Sequence, residues 1–211
     1  MMKTNRRTLF LTLGATFVLI ALLVTYTSSL VYISSYTYIN ELGNDKTSAI
    51  ASDLENYLEN ASSVLWITAD TVDHMVANGA TKEEIVEYIT RESTNAADQF
   101  DDSYTGYYGV INGEYVDGVG WVPPENYDAT ERDWYKDAIA ADGQTLVVSP
   151  YVDSQTGDVI LSVCKALSDK QSVLGMDLML SDVQEKVEDI TIDGNGYAFI
   201  VDYEGTVIAH R

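Results

Sequence analysis

Residues Thr105–Trp121 read TGYYGVINGEYVDGVGW, and this stretch decides the fold. Two short β-type runs flank Asn112-Gly113, the dipeptide that best fits a two-residue hairpin because both residues tolerate positive φ. The pattern predicts paired strands at Tyr107–Ile111 and Glu114–Val116. Upstream the chain reads as helix. Ser34 to Asn78 holds no proline and one glycine. Ile50, Leu54, Tyr57, Leu58, Ala61, Val64, Leu65, Thr68, Val72, Met75 and Val76 recur in steps of three and four, one helical stripe. Asn78-Gly79 is a stop signal, and Thr81-Lys82-Glu83-Glu84 has the S/T-x-x-E form that starts a second helix, through Ile85 and Ile89 to about Ala97.

Downstream the period changes to two. Asp128-Ala129-Thr130 predicts the cap of a helix from Glu131 to Ala141, ended by Asp142-Gly143. Thr145–Ser149 and Tyr151–Val152 are strand-like but interrupted by Pro150, and Ser154–Gly157 is turn chemistry. Val159–Leu167 and Ser172–Leu178 read as core strands, and Ser181 caps a short helix to Ile190. Gly194-Asn195-Gly196 then introduces two strands around Glu204-Gly205. The fold class is therefore α+β, dominated by an antiparallel sheet. A lone hairpin cannot bury its own face, so the native chain is expected to continue past Arg211.

Leu9 to Ile33 carries no charge. As a helix at about 1.5 Å per residue it exceeds the roughly 30 Å hydrocarbon core. Lys3, Arg6 and Arg7 precede it, without acids, which predicts a cytoplasmic N-terminus and a remainder outside the cell. A cleaved signal peptide is the competing reading; the length of the stretch and the lack of an A-x-A-like site favour an anchor. The chain has 211 residues and a net charge of −21. With 12 − 3 = 9 basic residues beyond the anchor against 33 acids, no basic face is available for nucleic acid. The single Cys164 cannot form an intramolecular disulfide and reads as a buried small residue. His74 and His210 lack partners at ligand spacing, so no metal site and no cofactor is expected. Asp193-Gly194-Asn195-Gly196 begins like a calcium loop but lacks the spacing to a bidentate Glu, and reads as a turn.

Two groups of residues could carry chemistry. Near Tyr127, the helix entry holds Arg132, Trp134 and Tyr135. Arg132 and Tyr135, three apart, would share a helical face, with Trp134 pointing elsewhere. A helix N-terminus beside a planar guanidinium suits a carboxylate. The alternative is an aromatic anchor with Arg132 paired to Asp128 or Glu131. The second group is Tyr151, Asp153 and Asp177. Tyr151 and Asp153 face one side of an extended chain. Asp177 interrupts the apolar run VLGMDLML, where an unpaired carboxylate is costly. It faces solvent at a strand edge, pairs with Lys165, or receives a ligand ammonium with help from aromatic rings.

The segment from about Ser34 to Arg211 resembles the double Cache domain, the extracellular sensor of many bacterial chemoreceptors and sensor kinases. The resemblance rests on YYGVINGEYVDGVGW, YDATERDWYKDAI, VSPYVDSQTGDVILSVCKAL, VLGMDLML and GNGYAFIVDYEGTVIAH. It implies a stalk helix and a PAS-like membrane-distal module over residues 34–190, and the start of a membrane-proximal module over 191–211, after a cytoplasmic tail (1–8) and membrane helix (9–33). An amino-acid-binding subgroup of the family has a Tyr, Arg-x-Trp-Tyr, Tyr-x-Asp and a later Asp, matched here by Tyr127; Arg132, Trp134 and Tyr135; Tyr151 and Asp153; and Asp177. The resemblance implies that the Arg–Trp block holds a ligand carboxylate and the Tyr and Asp residues its amino group. It also implies a homodimeric, membrane-bound receptor for a small molecule, an L-amino acid, without enzymatic activity. An amine, organic acid or purine as ligand, a structural surface protein, and a hydrolase using Asp153 and Asp177 are the alternatives.

Overall fold

A computed structural model describes residues 6–188, 197–201, 205 and 207–210; the Asp193–Gly196 motif lies outside them. The chain forms two compact units, Met1–Ala49 and Ile50–Arg211. In the first, helix α1 (Arg6–Ala77) is the one helix among the described residues long and apolar enough to cross a membrane. Its side chains there, Leu11, Phe17, Leu23 and Val31 among them, are exposed, as a lipid-facing surface would be.

The second unit is built on the rest of α1, whose buried residues Tyr57, Ala61, Val64, Leu65, Thr68, Ala69 and Val72 follow the predicted stripe. The helix ends because Gly79 takes a φ of +76°. Its N–H donates to the Val76 carbonyl and that of Ala80 to the Met75 carbonyl, each at 3.0 Å, which satisfies carbonyls the helix leaves open. The capping box then forms as read: the Glu84 N–H donates to Thr81 Oγ1 at 3.3 Å, and the Thr81 N–H donates to Glu84 Oε2 at 2.8 Å. It starts α2 (Lys82–Gln99).

β1 (Tyr104–Ile111) and β2 (Glu114–Asp117) form the predicted hairpin. Asn112 and Gly113 have φ of 51° and 80°, the two positive values a type I′ turn needs. After a 3-10 turn at Ala129–Glu131 come α3 (Asp133–Ala140), β3 (Leu146–Val152), β4 (Val159–Ala166), β5 (Val173–Met179) and α4 (Leu180–Glu188). The five strands make one antiparallel sheet in the order β2-β1-β5-β4-β3. β6 (Phe199–Val201) and β7 (Val207–His210) pair separately.

Strand alternation sorts the core into two layers. Tyr107, Ile111, Leu161, Val163, Leu174, Met176 and Leu178 pack with α1 and α2. Tyr108, Val110, Val148, Cys164, Ala166 and Val173 pack with Trp134 and Ala138 of α3. Each fully buried aliphatic side chain contributes roughly 1.5–3 kcal/mol. Asp177 has the same parity as Val173, so the sheet's period puts it on the α3 side.

Three expectations are corrected. The helix expected from Glu131 is split: Asp128 accepts from the Thr130 N–H at 2.9 Å and caps only the 3-10 turn, while extended Arg132 (φ −78°, ψ 148°) is the N-cap of α3. Pro150 does not break β3 in two; it sits at an irregularity between Val148 and Tyr151 on the sheet edge, where a missing N–H is tolerated. Helix α4 begins at Leu180, so Ser181 falls inside it rather than before it.

Candidate functional site

Asp177 is a carboxylate in the middle of a sheet, 9 % exposed. Ser162 of β4 stands directly opposite it in the β4–β5 register, and Tyr108 stands opposite Gly175 in the β1–β5 register. Gly175 has no side chain to fill that place. A Cβ there would come within 3.2 Å of the Tyr108 Cζ and 3.1 Å of Cys164 Sγ. The Tyr108 ring therefore lies across Gly175, and its hydroxyl donates to Asp177 Oδ1 at 2.6 Å. Ser162 Oγ donates to the same oxygen. Tyr151 of β3 extends the network, its hydroxyl 2.6 Å from Ser162 Oγ and 3.3 Å from the Tyr108 hydroxyl. Both protein donors thus converge on one carboxylate oxygen, and among the described residues Oδ2 accepts no hydrogen bond. Lys165 is not the counter-ion; its ammonium donates to the Gly143 carbonyl.

Burial pushes the Asp177 carboxyl up from 3.8 to about 7, against the pull of the Ser162 and Tyr108 hydrogen bonds; Asp153 and Asp117 push it further in the same direction. Burial is also the main reason the Tyr108 phenol is raised well above its ordinary value, with Asp177 next.

The cavity above Asp177 is lined by Tyr108, Tyr127, Arg132, Trp134, Tyr151, Asp153 and Asp177, with Tyr115, Asp117, Val119 and Trp121. Because Arg132 is the extended N-cap, its side chain leaves before the helix begins. Its guanidinium lies 5.7 Å from the centre of the Tyr151 ring and donates to the Val152 carbonyl at 3.4 Å. It pairs with neither Asp128 nor Glu131; Glu131 binds Lys136 at 2.7 Å. Trp134, 2 % exposed, meets Tyr108 edge-on at 5.0 Å between ring centres.

The structure brings together six of the seven residues singled out from the sequence: Tyr127, Arg132, Trp134, Tyr151, Asp153 and Asp177. Tyr135 is not on the cavity wall. Its ring packs edge-on to Trp134 at 5.9 Å, and its hydroxyl donates to the Gln171 carbonyl at 2.8 Å. The expected facing is therefore inverted, with Trp134 rather than Tyr135 beside Arg132, since the three-residue rule applies only inside a helix. Asp153 reaches the cavity but is also a turn residue, accepting from the Gln155 and Thr156 N–H groups at 3.1 and 2.8 Å.

Sequence reading missed Tyr108, Ser162, Tyr115, Asp117 and Trp121. Ser162 left a trace as the polar break in VILSVCKAL, but only the strand register sets it against Asp177. Tyr115, Trp121 and Tyr127 form a mutually perpendicular triad with ring centres 5.1–5.9 Å apart.

Residues 34–211 match the Cache domain family. The methyl-accepting chemotaxis protein TlpB of Bacillus subtilis is 31 % identical over 199 residues, covering 90 % of this chain and 29 % of TlpB. McpC of the same organism is 31 % identical over 214 residues, covering 93 % of this chain and 31 % of McpC. The chain thus spans less than a third of these relatives. Among solved structures, the ligand-binding domain of the Pseudomonas aeruginosa amino acid chemoreceptor PctC, in complex with GABA, matches with a TM-score of 0.65 and 27 % identity, over 81 % of this chain and 74 % of that one. The ligand-binding domain of the Pseudomonas fluorescens chemoreceptor CtaA, in complex with L-alanine, shares the fold with a TM-score of 0.64 at 23 % identity, over 82 % of this chain and 71 % of that one.

Proposed function

The chain belongs to the Cache domain family, and from that premise we propose that it is the sensing part of a membrane chemoreceptor whose cavity binds a free L-amino acid. The carrying observation is a pair of opposite charges in one cavity, neither of them matched by the protein. Among the described residues, Asp177 has no cation and a bare Oδ2, and Arg132 has no carboxylate. A zwitterion supplies both missing partners: its ammonium meets Asp177, and its carboxylate meets Arg132 beside the indole of Trp134. The phenols of Tyr127 and Tyr151 close the walls, and with water displaced each ionic contact strengthens. The amino-acid ligand of CtaA and the GABA bound to PctC, each with an amine and a carboxylate, support the same chemistry here.

In this reading Leu9–Ile33 spans the bilayer with the N-terminus in the cytoplasm, the cavity faces the outside, and two copies pair in the receptor. Ligand occupancy is passed on through the membrane-spanning part of the chain. Calorimetry of the full chain in detergent against a panel of L-amino acids is the test, and at least one is expected to bind. Arg132→Ala is expected to weaken that ligand about 100-fold, as removal of one partner of a buried charge pair does. An amine has no carboxylate, so undiminished binding by Arg132→Ala replaces the amino-acid reading with an amine one. A panel without heat ends both.

A further inference from the structure

Resting on the amino-acid reading of the same cavity, we infer that the charge of the ligand's side chain ranks its ligands: cationic side chains bind most tightly, neutral ones less so, and side-chain carboxylates are excluded. The wall carries three carboxylates, Asp117, Asp153 and Asp177, and one guanidinium, Arg132, as its charged groups among the described residues. A bound zwitterion matches Asp177 and Arg132 one to one. The wall then keeps two negative charges in excess, because Asp153, which the resemblance places with Asp177 at the amino group, and Asp117 are also acids, each fixed in place by donors of its own. Asp117 Oδ1 accepts from the Val119 and Trp121 N–H groups at 2.8 and 2.9 Å, and its Oδ2 accepts from the Tyr115 hydroxyl at 3.1 Å. Neither acid can turn away without breaking the loop or hairpin it holds.

A ligand with a second carboxylate meets two fixed negative charges and no second cation. A ligand with a side-chain ammonium or guanidinium meets those same charges favourably. It also enters a cavity walled by Tyr115, Trp121 and Tyr127, whose π faces attract cations. The rest of the chain acts in the same direction: 33 acids against 9 basic residues beyond the anchor raise the local concentration of cationic ligands. The buried Asp177, with its bare Oδ2, marks the cavity as built to hold a ligand rather than as a chance gathering of acids.

Ligand pairs that differ in side-chain charge test this on the full chain in detergent by calorimetry at low salt. L-Glutamine is expected to bind about 100-fold tighter than L-glutamate, the scale on which an unmatched buried charge acts. L-Lysine is expected to bind roughly tenfold tighter than L-norleucine, and this gap narrows as salt screens the unpaired acids. Asp117→Asn is expected to shrink both gaps. Glutamate equal to glutamine, or lysine no tighter than norleucine, overturns the inference while leaving the amino-acid reading intact. A panel with no binding amino acid removes both. The wild-type ranking decides the matter even if Asp117→Asn, which unlatches a loop, fails to fold.

Discussion

Asp177 holds one carboxylate oxygen in a cage of hydroxyls, and among the described residues its other oxygen accepts no hydrogen bond. The arrangement fixes a sign for pH dependence. Its folded pKa is raised to about 7 from 3.8, so between those values the folded empty protein binds a proton that the unfolded chain does not. Stability from this group therefore falls as pH rises through that window and is lowest above 7. Ligand binding runs the other way, because an ammonium needs the ionised acid. Affinity is expected to be constant above about pH 7.5 and to fall toward tenfold per pH unit below about pH 6, read by calorimetry from pH 5 to 8. Asp177→Asn is expected to lower affinity at pH 8 about 100-fold and to flatten the profile; an unaltered profile would remove Asp177 from the site. The sequence exposed this residue as the one acid in VLGMDLML. Its partners were hidden because Tyr108 and Ser162 lie 69 and 15 residues away, and only strand register joins them.

At the scale of elements, glycine decides how closely strands and rings approach. A Cβ on Gly109 would lie 2.1 Å from the Val173 carbonyl oxygen, which is backbone and cannot yield. Gly109→Ala is expected to cost about 3 kcal/mol in urea unfolding. Gly175 meets only side-chain atoms, at 3.1–3.3 Å. Gly175→Ala is expected to cost less stability than Gly109→Ala but to displace the Tyr108 hydroxyl and weaken binding roughly tenfold, about 1.4 kcal/mol. The capping box at Thr81 and the turn at Asn112-Gly113 were legible because each is decided within four residues. The helix expected at Glu131 was not. Its start depends on Arg132 taking an extended ψ of 148°, and that one angle delivers Arg132 and Trp134 to the cavity while turning Tyr135 away. Residue types singled out six residues that the fold gathers in one cavity; the facing they implied came from a helix that had not yet begun.

For the whole molecule, ligand and fold are linked by mass action. An amino acid at about 100 times its Kd should add about 2.7 kcal/mol to the unfolding free energy. The rise in melting temperature should be larger at pH 8 than at pH 5.5, since the proposed ammonium contact needs the ionised Asp177; equal shifts at both would uncouple binding from Asp177. The two flanks of the five-stranded sheet carry a last consequence. One flank is β2, four residues long; the other is β3, where Pro150 lacks an N–H and the register slips. Exposed strand edges invite pairing with other chains, and short edges, prolines and bulges discourage it. Neither border offers a long regular row of free backbone groups, so crowded copies have little template for intermolecular β-sheet growth. Replacing Pro150 by a β-branched residue would remove one of those guards, and aggregation would be the first property to change.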